Sequence, residues 1–105
     1  MDLKKLTRRA VDIRDKYDQL NKEHGVVWNA EDFMSGFVGD VGDLSKLIMA
    51  KRGLREVEDI DKKLAHELSD CLWSVLVLAD KYGLDLETEF LKTMDSLGAS
   101  LKSKS

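Results

Sequence analysis

The sequence of 105 residues lacks proline and contains a single cysteine, Cys71. Without proline, no position breaks a helix through loss of a backbone N–H. The seven glycines are scattered, which favours long helices over a sheet-rich fold. One cysteine cannot form an intramolecular disulfide, so nothing requires an oxidising compartment. Cys71 is expected to be a small core residue.

Long apolar runs and a strong excess of one charge are also missing. The most apolar run, 71–79, is too short to span a bilayer, and the N-terminus does not resemble a signal peptide. The 17 basic and 20 acidic residues leave a net charge of -3, which is typical of solvated helix faces rather than of a nucleic-acid-binding arm. We therefore expect one cytoplasmic domain, 1–105, that binds neither membrane nor nucleic acid.

Apolar residues recur at spacings of three and four in four segments of the chain. These segments predict helices over 2–23, 30–52, 61–82 and 86–101. Asn29 predicts the N-cap of the second helix, Asp59 or Asp61 that of the third, and Asp85 that of the fourth. Residues 54–60 form a charged connector, and the last four residues are expected to fray.

The third helix is apolar around nearly its whole circumference. Leu64 and Leu68 lie on one side, and Trp73 and Val77 lie on the opposite side. A helix of this kind is buried on more than one side, so in a chain this small we expect a second copy to cover it, with Trp73 at the interface. The predicted fold class is all-α, a four-helix chain forming an oligomeric helical bundle, either a homodimer or a homotetramer.

Carboxylates three residues apart on a helix can share one cation. Six such pairs occur, against roughly four expected from random placement of the acids, so spacing alone decides nothing. Four pairs, within 12–18 and 56–61, lie among basic residues or in the charged connector and are expected to be solvated. The two remaining pairs interrupt or border apolar faces: Asp40 with Asp43, and Glu67 with Asp70.

These four carboxylates are predicted to face the bundle interior. Burying an unpartnered carboxylate is costly, and a divalent cation held by Asp40, Asp43, Glu67 and Asp70 would remove that cost. The alternative is pairing with lysines or arginines across the bundle. Oxygen ligands without a cysteine pair or a suitably spaced histidine favour Mg²⁺ or Mn²⁺ over zinc. A di-iron site would need Glu-x-x-His twice, whereas His66 precedes Glu67 and is assigned no role.

The two acid-bearing stretches resemble the signature of the MazG-like family of all-α nucleotide pyrophosphohydrolases, which has an acid pair on one helix and Glu-x-x-Asp on the next. They read Gly39-Asp40-Val41-Gly42-Asp43-Leu44 and Glu67-Leu68-Ser69-Asp70-Cys71-Leu72. Trp28 and the stretch 78–86 fit the family as well, so the resemblance covers about residues 28–95 of a single MazG-like domain.

The sequence departs from the family at Asp40 and Asp43, where glutamates are usual. Aspartate is one methylene shorter, so its carboxylate reaches less far from the backbone. Either the helices approach more closely, helped by Gly36, Gly39 and Gly42, or metal binding is weaker.

The resemblance implies Mg²⁺-dependent hydrolysis of a nucleoside triphosphate to a monophosphate and pyrophosphate, as in nucleotide-pool house-cleaning. Glu67 or Asp43 is the expected general base. Four residues are expected to bind the nucleotide: Lys51, Arg52, Trp28 and Lys92. Each also has a structural interpretation, a staple onto the core for Trp28 and a solvated cation for the others. The alternative functions are a non-catalytic helical interaction module and a hydrolase of another phosphoanhydride.

Overall fold

Four helices account for most of the chain in the computed structural model, which describes residues 2–53 and 56–104. They are α1 (Leu3–Glu23), α2 (Ala30–Lys51), α3 (Ile60–Lys81) and α4 (Leu86–Lys104), and the described residues contain no strand. The predicted all-α class with four helices is therefore confirmed. Residues 54 and 55 of the charged connector lie outside the described residues. Helix α4 continues through 102–104, which the sequence led us to expect as a frayed end.

Local hydrogen bonds explain most of the helix boundaries. The Asn29 side chain accepts from the backbone N–H of Asp32, and the Asp32 carboxylate accepts from the backbone N–H of Asn29. Both hydrogen bonds of a capping box are therefore present at the start of α2. Asp85 accepts from the backbone N–H of Thr88 at the start of α4. Of the two candidates for the N-cap of α3, Asp59 occupies that position and Asp61 lies in the first turn, but the Asp59 side chain makes no capping hydrogen bond and its φ is 53°.

The core lies where α1 and α2 both pack against α3. It is built around Ala10 of α1, Phe33 of α2, and Leu76 and Val77 of α3. The buried residues of α3 all lie in its second half: Ser74, Leu76, Val77 and Ala79. Leu68 and Leu72 of α3 remain 51% and 46% exposed, so the chain buries only part of the apolar circumference of this helix.

Trp73 belongs to this intramolecular core rather than to an exposed interface. Its indole Nε1 donates to the backbone carbonyl of Ala10 at 3.0 Å. Its rings meet those of Tyr17 and Phe33 edge-on, at centroid distances of 6.1 and 5.9 Å. The expectation that Trp73 lies between two copies is therefore wrong, because α1 covers it.

A nearly buried arginine joins α1 to α3. The Arg14 side chain is only 14% exposed and donates to Asp80 of α3 at 2.8 Å and to Asp15 at 3.1 Å. Burial alone would lower the pKa of Arg14, but hydrogen bonds from the guanidinium to Asp80 and Asp15 hold it above its ordinary value. Asp18 lies 3.9 Å from Arg14 Nε. These α1 acids, interpreted from the sequence as solvated surface, thus help to compensate a buried charge.

The glycines of α2 do not bring the helices together. A Cβ at Gly39 or Gly42 would meet no atom within 4 Å, and one at Gly36 would lie 3.9 Å from the Trp28 ring. At all three positions there is room for a side chain, so close packing does not require glycine. The suggestion that they permit a closer helix approach is therefore wrong.

Replacing Gly39 with alanine is expected to raise the free energy of unfolding by about 0.5–1 kcal/mol, because alanine restricts the unfolded chain and fits this helix. Urea denaturation at fixed protein concentration measures the change. The same substitution at Gly25, where φ is 76°, should instead destabilise by about 1 kcal/mol, because a Cβ disfavours the left-handed region. Destabilisation by Gly39→Ala would contradict the open space seen around this position.

Candidate metal centre

Three carboxylates from two helices converge near the middle of the α2–α3 pair. Asp40 projects from α2, and Glu67 and Asp70 project from consecutive turns of α3. One oxygen from each lies within 4.8 Å of the others, and all three side chains are partly buried. We call this set the acid triad. Its spacing suits oxygen ligands arranged around one divalent cation.

Asp43, the fourth predicted ligand, lies beside the triad but outside it. Three residues correspond to 300° around a helix, so Asp43 points about 60° away from Asp40 and is exposed. It lines a groove together with Glu67. The structure therefore brings three of the four predicted ligands together and places the fourth next to them.

The electrostatics of the triad are those of an uncompensated negative cluster. Burial raises the pKa of Glu67 above its ordinary value, and the charges of Asp40, Asp70 and Asp43 raise it further. Burial and the charges of Asp70 and Asp43 likewise raise the pKa of Asp40. Glu67 Oε2 is buried and has no hydrogen-bond partner. A buried carboxylate oxygen without a hydrogen-bond partner is stabilised by binding a cation or a proton.

Basic side chains do not neutralise this cluster. Among the described residues, no lysine or arginine lies within ion-pair distance of Asp40, Asp43, Glu67 or Asp70. The contact to Asp70 comes from His66, whose Nε2 lies 3.2 Å from the Asp70 carboxylate and whose side chain is 74% exposed. The alternative of salt bridges across the bundle thus finds no lysine or arginine partner in this part of the chain.

An aromatic cleft opens from one side of the triad between α1, α2 and α3. It has a volume of about 610 Å³ and shares Asp40 and Asp70 with the triad. The other lining residues are aromatic, polar or aliphatic: Ile13, Tyr17, Asn21, Trp28, Phe33, His66, Ser69 and Trp73. The Trp28 ring packs edge-on against Phe33, 5.4 Å between centroids, and remains 40% exposed. Trp28 is thus both a staple onto the core and a wall of the cleft.

A second groove, of about 590 Å³, lies between α2 and α3 and shares Glu67 with the triad. Three exposed lysines line it: Lys46, Lys62 and Lys63. We call it the lysine groove. The groove also contains three carboxylates, those of Asp43, Asp59 and Glu67, so its charge is mixed. The sequence analysis missed these lysines, although Lys46 follows Asp43 by three residues and therefore lies on nearly the same side of α2.

The cations chosen from the sequence lie elsewhere. Lys51 ends α2 and pairs with Asp61. At 1.5 Å per residue, Lys51 lies about 16 Å along α2 from Asp40. Arg52 follows the end of α2 and is exposed. Lys92 lies on α4, 3.8 Å from Glu89. In the described chain, none of these three cations lines the aromatic cleft or the lysine groove.

The described residues include no helix with the length and apolarity needed to cross a membrane. Comparisons of the chain with protein-family models, with curated proteins and with solved structures found no match.

Proposed function

We propose that the chain is a Mg²⁺-dependent nucleoside triphosphate pyrophosphohydrolase that converts a (d)NTP to a (d)NMP and pyrophosphate. The observation that carries this proposal is the convergence of Asp40, Glu67 and Asp70 within 4.8 Å, with an unpartnered oxygen on Glu67. The sequence resemblance to the MazG-like family supplies the reaction. A (d)NTP is the proposed small-molecule partner, and a second copy of the chain is the proposed protein partner.

Asp40, Glu67 and Asp70 would hold the cation, for which Mn²⁺ is the alternative to Mg²⁺. When bound, the ion would neutralise charge on the polyphosphate during phosphoryl transfer. The carboxylates of the chain would keep it in place; burial, together with their mutual repulsion, raises the pKa of Asp40 and of Glu67, and a cation would relieve both effects. Asp40 supports this set of ligands because one of its carboxylate oxygens lies within 4.8 Å of those of Glu67 and Asp70, although aspartate is one methylene shorter than the usual glutamate.

The general base would be Asp43 or Glu67. Asp43 is the better placed of the two, because its exposed carboxylate lies beside the triad without belonging to it. It would accept a proton from the attacking water, which adds to the α-phosphorus while the bond to the bridging oxygen of the β-phosphate breaks. Glu67 would then remain a metal ligand throughout.

The two clefts suggest how a nucleotide would lie. The aromatic cleft offers Trp28 and Tyr17 as stacking surfaces for the base, with the side-chain amide of Asn21 able to bond to its edge. The lysine groove offers cations to the β- and γ-phosphates. This direction places the α-phosphate at the triad, which is where hydrolysis to pyrophosphate requires it.

Replacing Trp28 with alanine is expected to raise KM for the nucleotide about 10-fold, because stacking of a base on an aromatic ring contributes about 1–3 kcal/mol. Trp28→Phe retains an aromatic face and should recover most of the loss. Steady-state kinetics beside a thermal melt separates substrate binding from packing on Phe33. A wild-type KM in a folded Trp28→Ala protein would show that the base does not bind in this cleft.

The proposal is tested by incubating the protein with each (d)NTP and Mg²⁺ and identifying the products. Monophosphate plus pyrophosphate supports it, whereas diphosphate plus inorganic phosphate identifies the other phosphoanhydride hydrolase. If no nucleotide is hydrolysed, the remaining hypothesis is the non-catalytic interaction module. The exposed apolar residues of α4 support that hypothesis. The nucleotide substrate and the single cysteine make the cytoplasm the proposed location.

A further inference from the structure

The aromatic cleft combines exposed aromatic rings with acidic side chains. Trp28 and Tyr17 both line it and are 40% and 54% exposed, so a planar ligand can reach their rings. In the described chain, neither lysine nor arginine lines this cleft. The acidic groups along it are the carboxylates of Asp40 and Asp70, next to the exposed imidazole of His66. The surface offered to a ligand is therefore aromatic and negatively charged.

A further carboxylate lies in a small pocket of about 210 Å³ that Trp28 also lines. It belongs to Asp18, whose Oδ1 is buried and has no hydrogen-bond partner, while its Oδ2 lies 3.9 Å from Nε of Arg14. Lys22 lines the same pocket, but in the part of the chain that the structure describes it forms no ion pair with Asp18. Trp28 thus has carboxylates in both of the pockets that it lines.

Aromatic rings close to carboxylates favour positively charged ligands. The face of an aromatic ring attracts a cation electrostatically, and the attraction strengthens when the cation is removed from water. The protein already contains one such contact, because Nζ of Lys81 lies 5.0 Å from the centroid of the Phe33 ring. A bound metal would not cancel the negative charge at the end of the cleft. Three carboxylates of the triad and one divalent cation still leave a net charge of -1.

We propose that the aromatic cleft selects nucleotides whose base carries a positive charge, as a base does after methylation at a ring nitrogen. The charged base stacks on Trp28 and Tyr17 and is attracted by the carboxylates of the two pockets. A neutral base stacks on the same rings but lacks this electrostatic attraction. The inference rests on the proposed function, since it narrows the substrate to (d)NTPs with a cationic, methylated base.

Binding of nucleosides tests the charge preference without phosphate, Mg²⁺ or hydrolysis. By tryptophan fluorescence, 1-methyladenosine, which is cationic at neutral pH, should bind about 10-fold more tightly than adenosine, equivalent to about 1.4 kcal/mol. The isomer methylated on the exocyclic amino group carries the same added methyl without the charge and should bind like adenosine. Equal affinities for all three nucleosides, equal gains for both isomers, or binding of none would overturn the proposal.

Asp18→Asn removes one of the charges and keeps the shape of the side chain. It should weaken binding of 1-methyladenosine by about 2- to 5-fold, the range of a partly exposed charge pair, and leave binding of adenosine unchanged. Asp12→Asn makes the same change on α1 at an exposed position outside both pockets and should alter neither affinity. An equal loss for both nucleosides in Asp18→Asn would assign Asp18 a structural role and contradict its part in charge selection.

Hydrolysis distinguishes failure of this inference from failure of the proposed function. With Mg²⁺, kcat/KM for 1-methyl-dATP should exceed that for dATP about 10-fold. Equal turnover of the two triphosphates would overturn the charge preference and leave the pyrophosphohydrolase. A nucleoside preference without turnover of any triphosphate would support the charge-selective cleft and overturn hydrolysis.

Discussion

Replacing Asp70 with asparagine is expected to reduce Mg²⁺-dependent pyrophosphate release by about 100-fold or more. Asparagine keeps the size of the side chain but removes one of the three charges proposed to hold the cation, and loss of such a ligand would weaken both metal binding and charge stabilisation in the transition state. Steady-state rates across a Mg²⁺ titration measure the effect. Part of the loss should appear as a higher Mg²⁺ requirement, which a merely structural role would not produce.

Asp12→Asn is the matched control for this substitution. Asp12 belongs to one of the acid pairs interpreted as solvated surface, and it is exposed on α1. Its loss should leave the rate within about twofold of wild type, since substitutions at such sites are usually near neutral. His66→Gln removes the exposed partner of Asp70 but keeps the carboxylate, so it should retain most of the activity. Equal rates for Asp70→Asn and wild type would place the metal site elsewhere.

The backbone of this fold could be predicted from the sequence because its signals are local. Asn29 caps α2 through Asp32, three residues further along the chain. Three glycines with positive φ follow helix ends: Gly25, Gly53 and Gly83. Each of these features depends on a few consecutive residues. The predicted helix limits therefore lie within one residue of the observed ones, except at the end of α4.

The convergence of the triad was also predictable, because each acid interrupts or borders an apolar side that must face the interior. Asp40 lies beside Phe33 and Phe37 on α2, and this placement forces it toward α3. The position of Asp43 was harder to foresee. An acid at the edge of a stripe faces in or out according to the exact rotation of the helix, and the pattern of residues does not fix that rotation.

The surroundings of the triad depend on which helix covers which. The aromatic cleft exists because α1 brings Tyr17 against Trp73, a pairing of residues far apart in the chain. Arg14 finds Asp80 for the same reason. No spacing rule along a single helix predicts contacts of this kind. The aromatic and lysine-lined neighbours of the triad therefore emerged only from the packing of α1, α2 and α3.

Mg²⁺ is expected to raise the Tm of the wild-type chain, and Glu67→Gln is expected to remove that response. At a concentration 100 times the dissociation constant, a ligand specific for the folded state adds about 2.7 kcal/mol. For a domain of this size each kcal/mol shifts Tm by about 4–8 °C, so the expected rise is on the order of 10 °C. Protein concentration must be held constant, because self-association would also shift Tm.

Without Mg²⁺, Glu67→Gln should itself stabilise the chain. The pKa of Glu67 is raised in the folded protein by burial and by the neighbouring acids. Its stabilising contribution is complete below the ordinary glutamate pKa and is lost as pH rises through the raised value, so at pH 7 the ionised group disfavours folding. In EDTA, Glu67→Gln should therefore melt above wild type at pH 7, and the difference should shrink toward pH 4.

Glu58→Gln, the same change at an exposed acid of the connector, should alter neither the melting in EDTA nor the response to Mg²⁺. An equal Mg²⁺ shift in wild type and Glu67→Gln would show that the cation binds elsewhere. A lower Tm for Glu67→Gln in EDTA would show that the carboxylate is held by a partner rather than repelled by its neighbours. The predicted pair of opposite shifts follows only if the triad is strained without a cation and relieved by one.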